Sequence, residues 1–248
     1  MARAMTGLVR HLRMCAALLC ACLASCGGAD ETPDYRYRLT VEVDTPEGLK
    51  TGSSVIEVRQ GMGRTAMSGF GRRINRRVSG EAVAVDIAPG RTLFALLRSD
   101  NNVDWASYVM QMQAPKLSGE PWEERFDNML LLEGEITLPR TWPPVGHLEE
   151  RSAYPMLVTF ADLNDPTSVA LVDPDDLAAS FGEGVSLRRI TVAITDDPVT
   201  EGIEGRLGWL ASYGRNHARL KPSGSRYLDD AQLINLVTPG DFSTELYK

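Results

Sequence analysis

Strict alternation marks the first patterned stretch of the chain. Tyr35, Tyr37, Leu39, Val41 and Val43 are apolar, and Arg36, Arg38, Thr40, Glu42 and Asp44 between them are polar. A period of two puts these sets on opposite faces of a strand, one buried and one wet. Thr45-Pro46-Glu47-Gly48 then reads as a turn, and Ser53 to Gln60 as the returning strand. Two more strands are predicted over Glu81 to Ile87 and Thr92 to Leu97, joined by Ala88-Pro89-Gly90-Arg91. Four strands with tight turns point to an N-terminal antiparallel β-sheet or half-sandwich.

The pattern then changes. Val103, Tyr108, Val109 and Met112 place a helix within Asn101 to Gln113. Between residues 115 and 155 fall six of the 14 prolines, interrupted by an apolar strand predicted over Met129 to Leu138. That stretch is either an ordered loop crossing the sheet or a boundary between two halves. Met156 to Phe160 opens the second half as a strand. Asp173-Pro174-Asp175-Asp176-Leu177 starts a helix: aspartate caps, proline suits the first helical position, and the next acids favour the positive dipole end. Gly182 and Gly184 end that helix, and Leu187 to Thr195 is a further strand. Trp209 and Leu210 are core candidates, and Ala231 to Val237 is a final helix or strand docked by Phe242. The fold class is therefore α+β, with a β-rich half at residues 35–146 and a mixed α/β C-terminal half at 147–248. The two halves can also form one domain.

Residues 1–13 hold Arg3, Arg10 and Arg13 and no acid, and Met14 to Ser25 is apolar or small. As a helix this dozen spans about 18 Å, short of the roughly 20 residues a bilayer needs, so it reads as a signal-peptide core. Leu23-Ala24-Ser25-Cys26 then resembles the lipobox of bacterial lipoproteins. The resemblance implies that residues 1–25 are a signal peptide cut before Cys26, with diacylglycerol on the thiol and a further acyl chain, such as palmitate, on the new amino group. Two or more chains hold a protein firmly on a membrane. Gly27 and Gly28 stand where inner-membrane members of that family carry aspartate. This implies the outer membrane, on its periplasmic leaflet, with residues 26–34 as a tether. Leu19-Cys20-Ala21-Cys22 offers a second, shorter lipobox. The body is similar to proteobacterial lipoproteins that begin with the same Tyr35 to Val43 segment, a resemblance that implies no activity.

All four cysteines (Cys15, Cys20, Cys22 and Cys26) lie in the first 26 residues. A chain cut before Cys26 therefore has no disulfide, thiolate metal site or cysteine nucleophile in its body. The leader holds three of the 26 basic side chains and none of the 33 acidic ones, leaving a net charge of −10 from Cys26 onward. So acidic a body repels phosphate backbones overall, which argues against nucleic acid. The partners expected are the membrane, through the covalent lipid, and an envelope protein.

Candidate chemistry beyond Cys26 is sparse. His147 opens His-Leu-Glu-Glu, which lacks the zinc-helix spacing, and His217 stands alone, so no metal or cofactor is assigned. Gly61-Met-Gly-Arg and Gly69-Phe-Gly-Arg lead into Arg72, Arg73, Arg76 and Arg77, with neither phosphate-loop nor Rossmann spacing. These four arginines form a candidate anion-binding set for lipid phosphates, weighed against a solvated hairpin loop. Asp162-Leu-Asn164-Asp165-Pro and Asp173-Pro-Asp175-Asp176 are carboxylate clusters. Pro166 and Thr167 stand where a calcium loop needs a ligand and a glycine, so capping and turn formation explain them best. No Gly-x-Ser-x-Gly or Ser-x-x-Lys occurs. The expectation is a non-catalytic binding or structural module facing the periplasm; the alternative is an envelope hydrolase using carboxylates.

Overall fold

The structure is a computed structural model that describes residues 32–64, 72–121, 125–144, 150–216, 218–220, 223 and 237–247. Residues 1–31, Cys26 among them, His147, His217 and residues 231–236 lie outside the described residues. From Thr32 onward the chain forms one compact α+β unit dominated by antiparallel strands. The first stretch is β1 (Tyr35–Thr45), β2 (Gly48–Arg64), β3 (Arg72–Ser79), β4 (Val83–Ala88), β5 (Arg91–Ala95) and α1 (Trp105–Gln113). There follow β6 (Ile136–Thr137), β7 (Thr141–Trp142), β8 (Arg151–Ser152), β9 (Leu157–Phe160) and β10 (Val169–Leu171). The chain then forms α2 (Leu177–Phe181), β11 (Ser186–Ile194) and α3 (Leu210–Arg215).

The alternation read in β1 is realised residue by residue: Tyr35, Tyr37, Leu39, Val41 and Val43 are buried and their neighbours are half-exposed. The early strands do not make one sheet, however. β1, β2 and β3 join β11 and β6 in the order β3-β2-β1-β11-β6, whereas β4 and β5 join β9 and β10 in the order β10-β9-β5-β4. Sequence neighbours need not pair when a later strand with an equally apolar face can take the position beside β1, as β11 does. Two further readings are corrected. Met129 to Leu138 is not a strand but a 3-10 turn at Asn128–Leu131 followed by the two-residue β6, broken by Gly134 at φ +69°. The cap of α2 is Asp176, whose Oδ1 accepts from Ala179 N at 3.1 Å; Asp173 instead accepts from Asp175 N at 2.9 Å in the preceding turn. Gly182, at φ +105°, ends α2 as its sequence position suggests.

The inner faces of the two sheets share one core. Tyr37, Leu39, Val41, Ile56, Ile190 and Val192 from the five-stranded sheet pack with Val83, Val85, Leu93 and Leu157 from the four-stranded one. The sheets approach so closely at Gly52 that a Cβ there would lie 2.2 Å from the Ala84 carbonyl oxygen. The four-stranded sheet is buried on its other face as well, where Phe94, Val158 and Phe160 meet Leu207, Leu210 and Phe242. The Phe94 ring stands edge-on to Phe160 and Phe242, with centroids 5.7 and 6.0 Å away, a favoured aromatic geometry. The outer face of the five-stranded sheet is wet. It carries cross-strand ion pairs, Arg36 to Glu57 at 2.9 Å and Arg189 to Glu42 at 2.8 Å among them. Among the described residues no helix is long and apolar enough to cross a membrane.

Candidate functional site

β2 is longer than its partner β1, and their pairing ends at Tyr35 opposite Val58. Beyond that point Arg59–Arg64 and Arg72–Arg77 continue as a two-stranded arm, with β3 at the edge of the sheet. Three of the four predicted anion-binding arginines therefore face arm partners other than Gln60. Arg72 stands opposite Arg64, Arg73 opposite Gly63 and Arg77 opposite Arg59, while Arg76 pairs with Gln60. Directly opposed residues share a face, so Arg76 and Arg77 point to opposite sides. Arg77 is exposed. Arg76 lies over the Tyr108 and Phe126 rings, 4.6 and 5.6 Å from their centroids, and its Nε donates to Gln60 Oε1 at 3.1 Å. Gln60 also holds the start of the described chain: its backbone N–H donates to Asp34 Oδ1 at 2.9 Å and its side-chain amide to the Pro33 carbonyl at 3.0 Å.

A cleft of about 380 Å³ opens on the far flank of α1. Trp105, Tyr108, Val109 and Met112 form one wall, at the spacing that keeps residues on one helix face. Trp142, Arg151 and Ser152 of the β7–β8 ribbon form the other, and Asn101, Asn102 and Asp104 close one end. The helix is fixed from below. Trp105 Nε1 donates to the Ala153 carbonyl at 3.0 Å, and the buried Tyr37 hydroxyl donates to the Ala106 carbonyl at 2.8 Å. Burial pushes the Tyr37 hydroxyl far above its ordinary range, so it stays a donor. Tyr108 and Met112 remain 41% and 36% exposed. Val103, Leu117, Leu130 and Leu131 are exposed as well, so this region holds all the large exposed apolar side chains among the described residues except Leu49. The loop after α1 is tied to it through Asn128 Nδ2, donating to the Pro115 carbonyl at 3.1 Å, and Gln111 Nε2, 3.0 Å from Met129 Sδ. Of this cleft the sequence showed only the helix; the ribbon is two residues per strand, too short for a periodic signal.

The predicted carboxylate clusters have local partners. Asp162 Oδ1 accepts from Asn164 N and Asp165 Oδ1 from Thr167 N, both at 2.9 Å. Asp173 and Asp176 cap as described, and Asp175 faces Arg140 at 3.0 Å. Two further acids stand apart from these clusters, Glu81 buried and Asp241 half-buried. Glu81 Oε2 accepts from Ile203 N at 2.8 Å, and burial, with the nearby charges of Glu204 and Glu201, pushes its carboxyl up. Asp241 closes a capping box with Thr238 and lies 3.9 Å from the buried Arg98, and burial pushes it up too. The Thr-x-x-Asp spacing of that box was a usable signal; nothing local distinguishes Glu81. Among the described residues no group of three His, Cys, Asp or Glu side chains converges to hold a metal ion. Compared with known protein families, curated proteins and solved structures, the chain matches none.

Proposed function

We propose that this chain is a bacterial envelope lipoprotein, cut before Cys26, lipidated on that thiol and held on the periplasmic leaflet of the outer membrane. Its body is a non-catalytic module that binds an envelope protein at the cleft between α1 and the β7–β8 ribbon. The observation that carries the reading is the position of Cys26. It ends a short apolar leader in a lipobox-like tetrapeptide, and it is the only cysteine the chain would retain after cleavage. Binding is favoured over hydrolysis because both acidic runs have their oxygens engaged in turns, caps and an ion pair. Exposed tyrosine and methionine beside a concave surface suit a protein contact, where such residues are enriched.

Labelling cells with a fatty-acid analogue tests the anchor: wild type carries label and Cys26→Ala does not. Label retained on Cys26→Ala overturns this assignment and moves the anchor to Cys22. For the module, a photo-crosslinker at Tyr108 should capture one stoichiometric envelope protein, and Met112→Ala should reduce that yield. A crosslinker at Glu183, in the exposed turn after α2, should not capture it. Equal capture from both positions speaks against the cleft.

A further inference from the structure

We propose that the β2–β3 arm lies on anionic phospholipid headgroups of the membrane that holds the lipid on Cys26. The inference rests on the anchored reading above and adds the surface by which the body meets the bilayer. Charge segregation is its first support. Residues 59–77 hold Arg59, Arg64, Arg72, Arg73, Arg76 and Arg77 and no acid, in a chain whose remainder from Cys26 onward is at −16. An anionic surface therefore repels most of this body and attracts one arm of it. Guanidinium groups also pair with phosphate oxygens through two parallel hydrogen bonds.

The second support is where the chain emerges. Asp34 and Pro33 are bonded to Gln60 at the base of the arm. Five residues separate Cys26 from Thr32, and a chain extends at most about 3.5 Å per residue. Covalent geometry alone thus keeps a lipid on Cys26 within roughly 20 Å of Thr32. The strand against which the described chain begins is the basic one.

The third support is the register. Arg59 faces Arg77 directly across the arm, and opposed like charges cost stability. Glu57 relieves Arg59 at 2.7 Å, but Arg77 has no ion-pair partner among the described residues. Anions supplied from outside remove that repulsion. The face of the arm that carries Arg59 and Arg77 is open at Gly61, where an added Cβ would meet nothing within 4 Å.

The test uses the mature chain, residues 26–248, produced with and without its lipid. Without lipid, it should partition onto vesicles of phosphatidylcholine and phosphatidylglycerol in equal parts and not onto phosphatidylcholine alone. The double change Arg73→Gln and Arg77→Gln should lower that partition about 25-fold, at roughly fivefold per arginine near a charged surface. With lipid, amide exchange at 59–64 and 72–77 should slow only on the phosphatidylglycerol vesicles, and high salt should restore it. Partition that ignores phosphatidylglycerol, or a double variant within about threefold of wild type, overturns the proposal. Aggregation of the variant with unchanged partition would assign the arginines to guarding an edge strand instead. Absence of fatty-acid label on Cys26 would sink the anchor while leaving the partition result to judge the arm, so the two failures are distinct.

Discussion

The Arg76 guanidinium carbon sits 4.6 Å from the centroid of the Tyr108 ring, joining edge strand β3 to helix α1. Phe126 lies beneath the same cation at 5.6 Å, so Arg76 is partly withdrawn from water, whereas its neighbour Arg77 is exposed. A partly desolvated cation over an aromatic face contributes about 0.5–2 kcal/mol. A double-mutant cycle between Arg76→Gln and Tyr108→Leu, followed by urea unfolding, should return a coupling of about 1 kcal/mol. Arg77→Gln should change stability by less than about 0.5 kcal/mol. Additivity of the first pair would show that the contact is incidental.

Glu81 and Asp241 bear on the pH dependence of stability. Burial raises both carboxyls, so the folded state keeps protons that the unfolded chain has already shed. Their contribution is therefore greatest at low pH and declines as pH climbs from the ordinary carboxylate value through the raised one. Glu42 and Asp86 run the other way. Hydrogen bonds from Arg189 and Arg206 hold them low, and what they contribute is lost as pH falls through those lowered values. The urea midpoint should accordingly peak in the weakly acidic range and fall on both sides. Glu81→Gln keeps an oxygen for Ile203 N and should flatten the decline on the alkaline side. An unchanged slope in that variant would remove Glu81 from the account.

Much of this arrangement was legible because each local signal had one strong physical cause. The period-two pattern of β1 needed only one wet and one buried face, and Leu210 is in the core as its apolar position suggests. What stayed hidden depends on partners far along the chain. β11 takes the place beside β1 through pairs such as Val41 with Ile190, separated by most of the body. The cleft needs Arg151 and Trp142 to reach α1, and no spacing in the sequence carries that information. The four arginines read as one set in the sequence, but strand geometry sends Arg76 and Arg77 to opposite faces.

The acidic run before α2 separates capping from charge. Asp176 accepts from Ala179 N at 3.1 Å, whereas Asp175 meets Arg140 with 66% of its side chain exposed. Removing an N-cap acceptor costs about 1 kcal/mol, and an exposed ion pair about 0–1 kcal/mol at most. Asp176→Ala should thus lower stability by about 1 kcal/mol and Asp175→Ala by distinctly less. If Asp175 proved the more costly, the cap assignment would be wrong and the carboxylates would need another role.

Two glycines of β2 make opposite demands. At Gly52 an added Cβ would lie 2.2 Å from Ala84 O and 2.9 Å from Ala84 C, both backbone atoms of β4 that cannot swing aside. Gly52→Ala must therefore move β2 away from β4, and overpacking of that kind costs about 1–3 kcal/mol or more. At Gly61, on the arm, nothing lies within 4 Å, so Gly61→Ala should be within about 0.5 kcal/mol of wild type. Thermal unfolding of the two variants under one buffer condition compares them directly. A mild Gly52→Ala would mean that the sheets are not held at this spacing. A severe Gly61→Ala would mean that the arm face is covered in solution, which removes the surface on which headgroup contact depends.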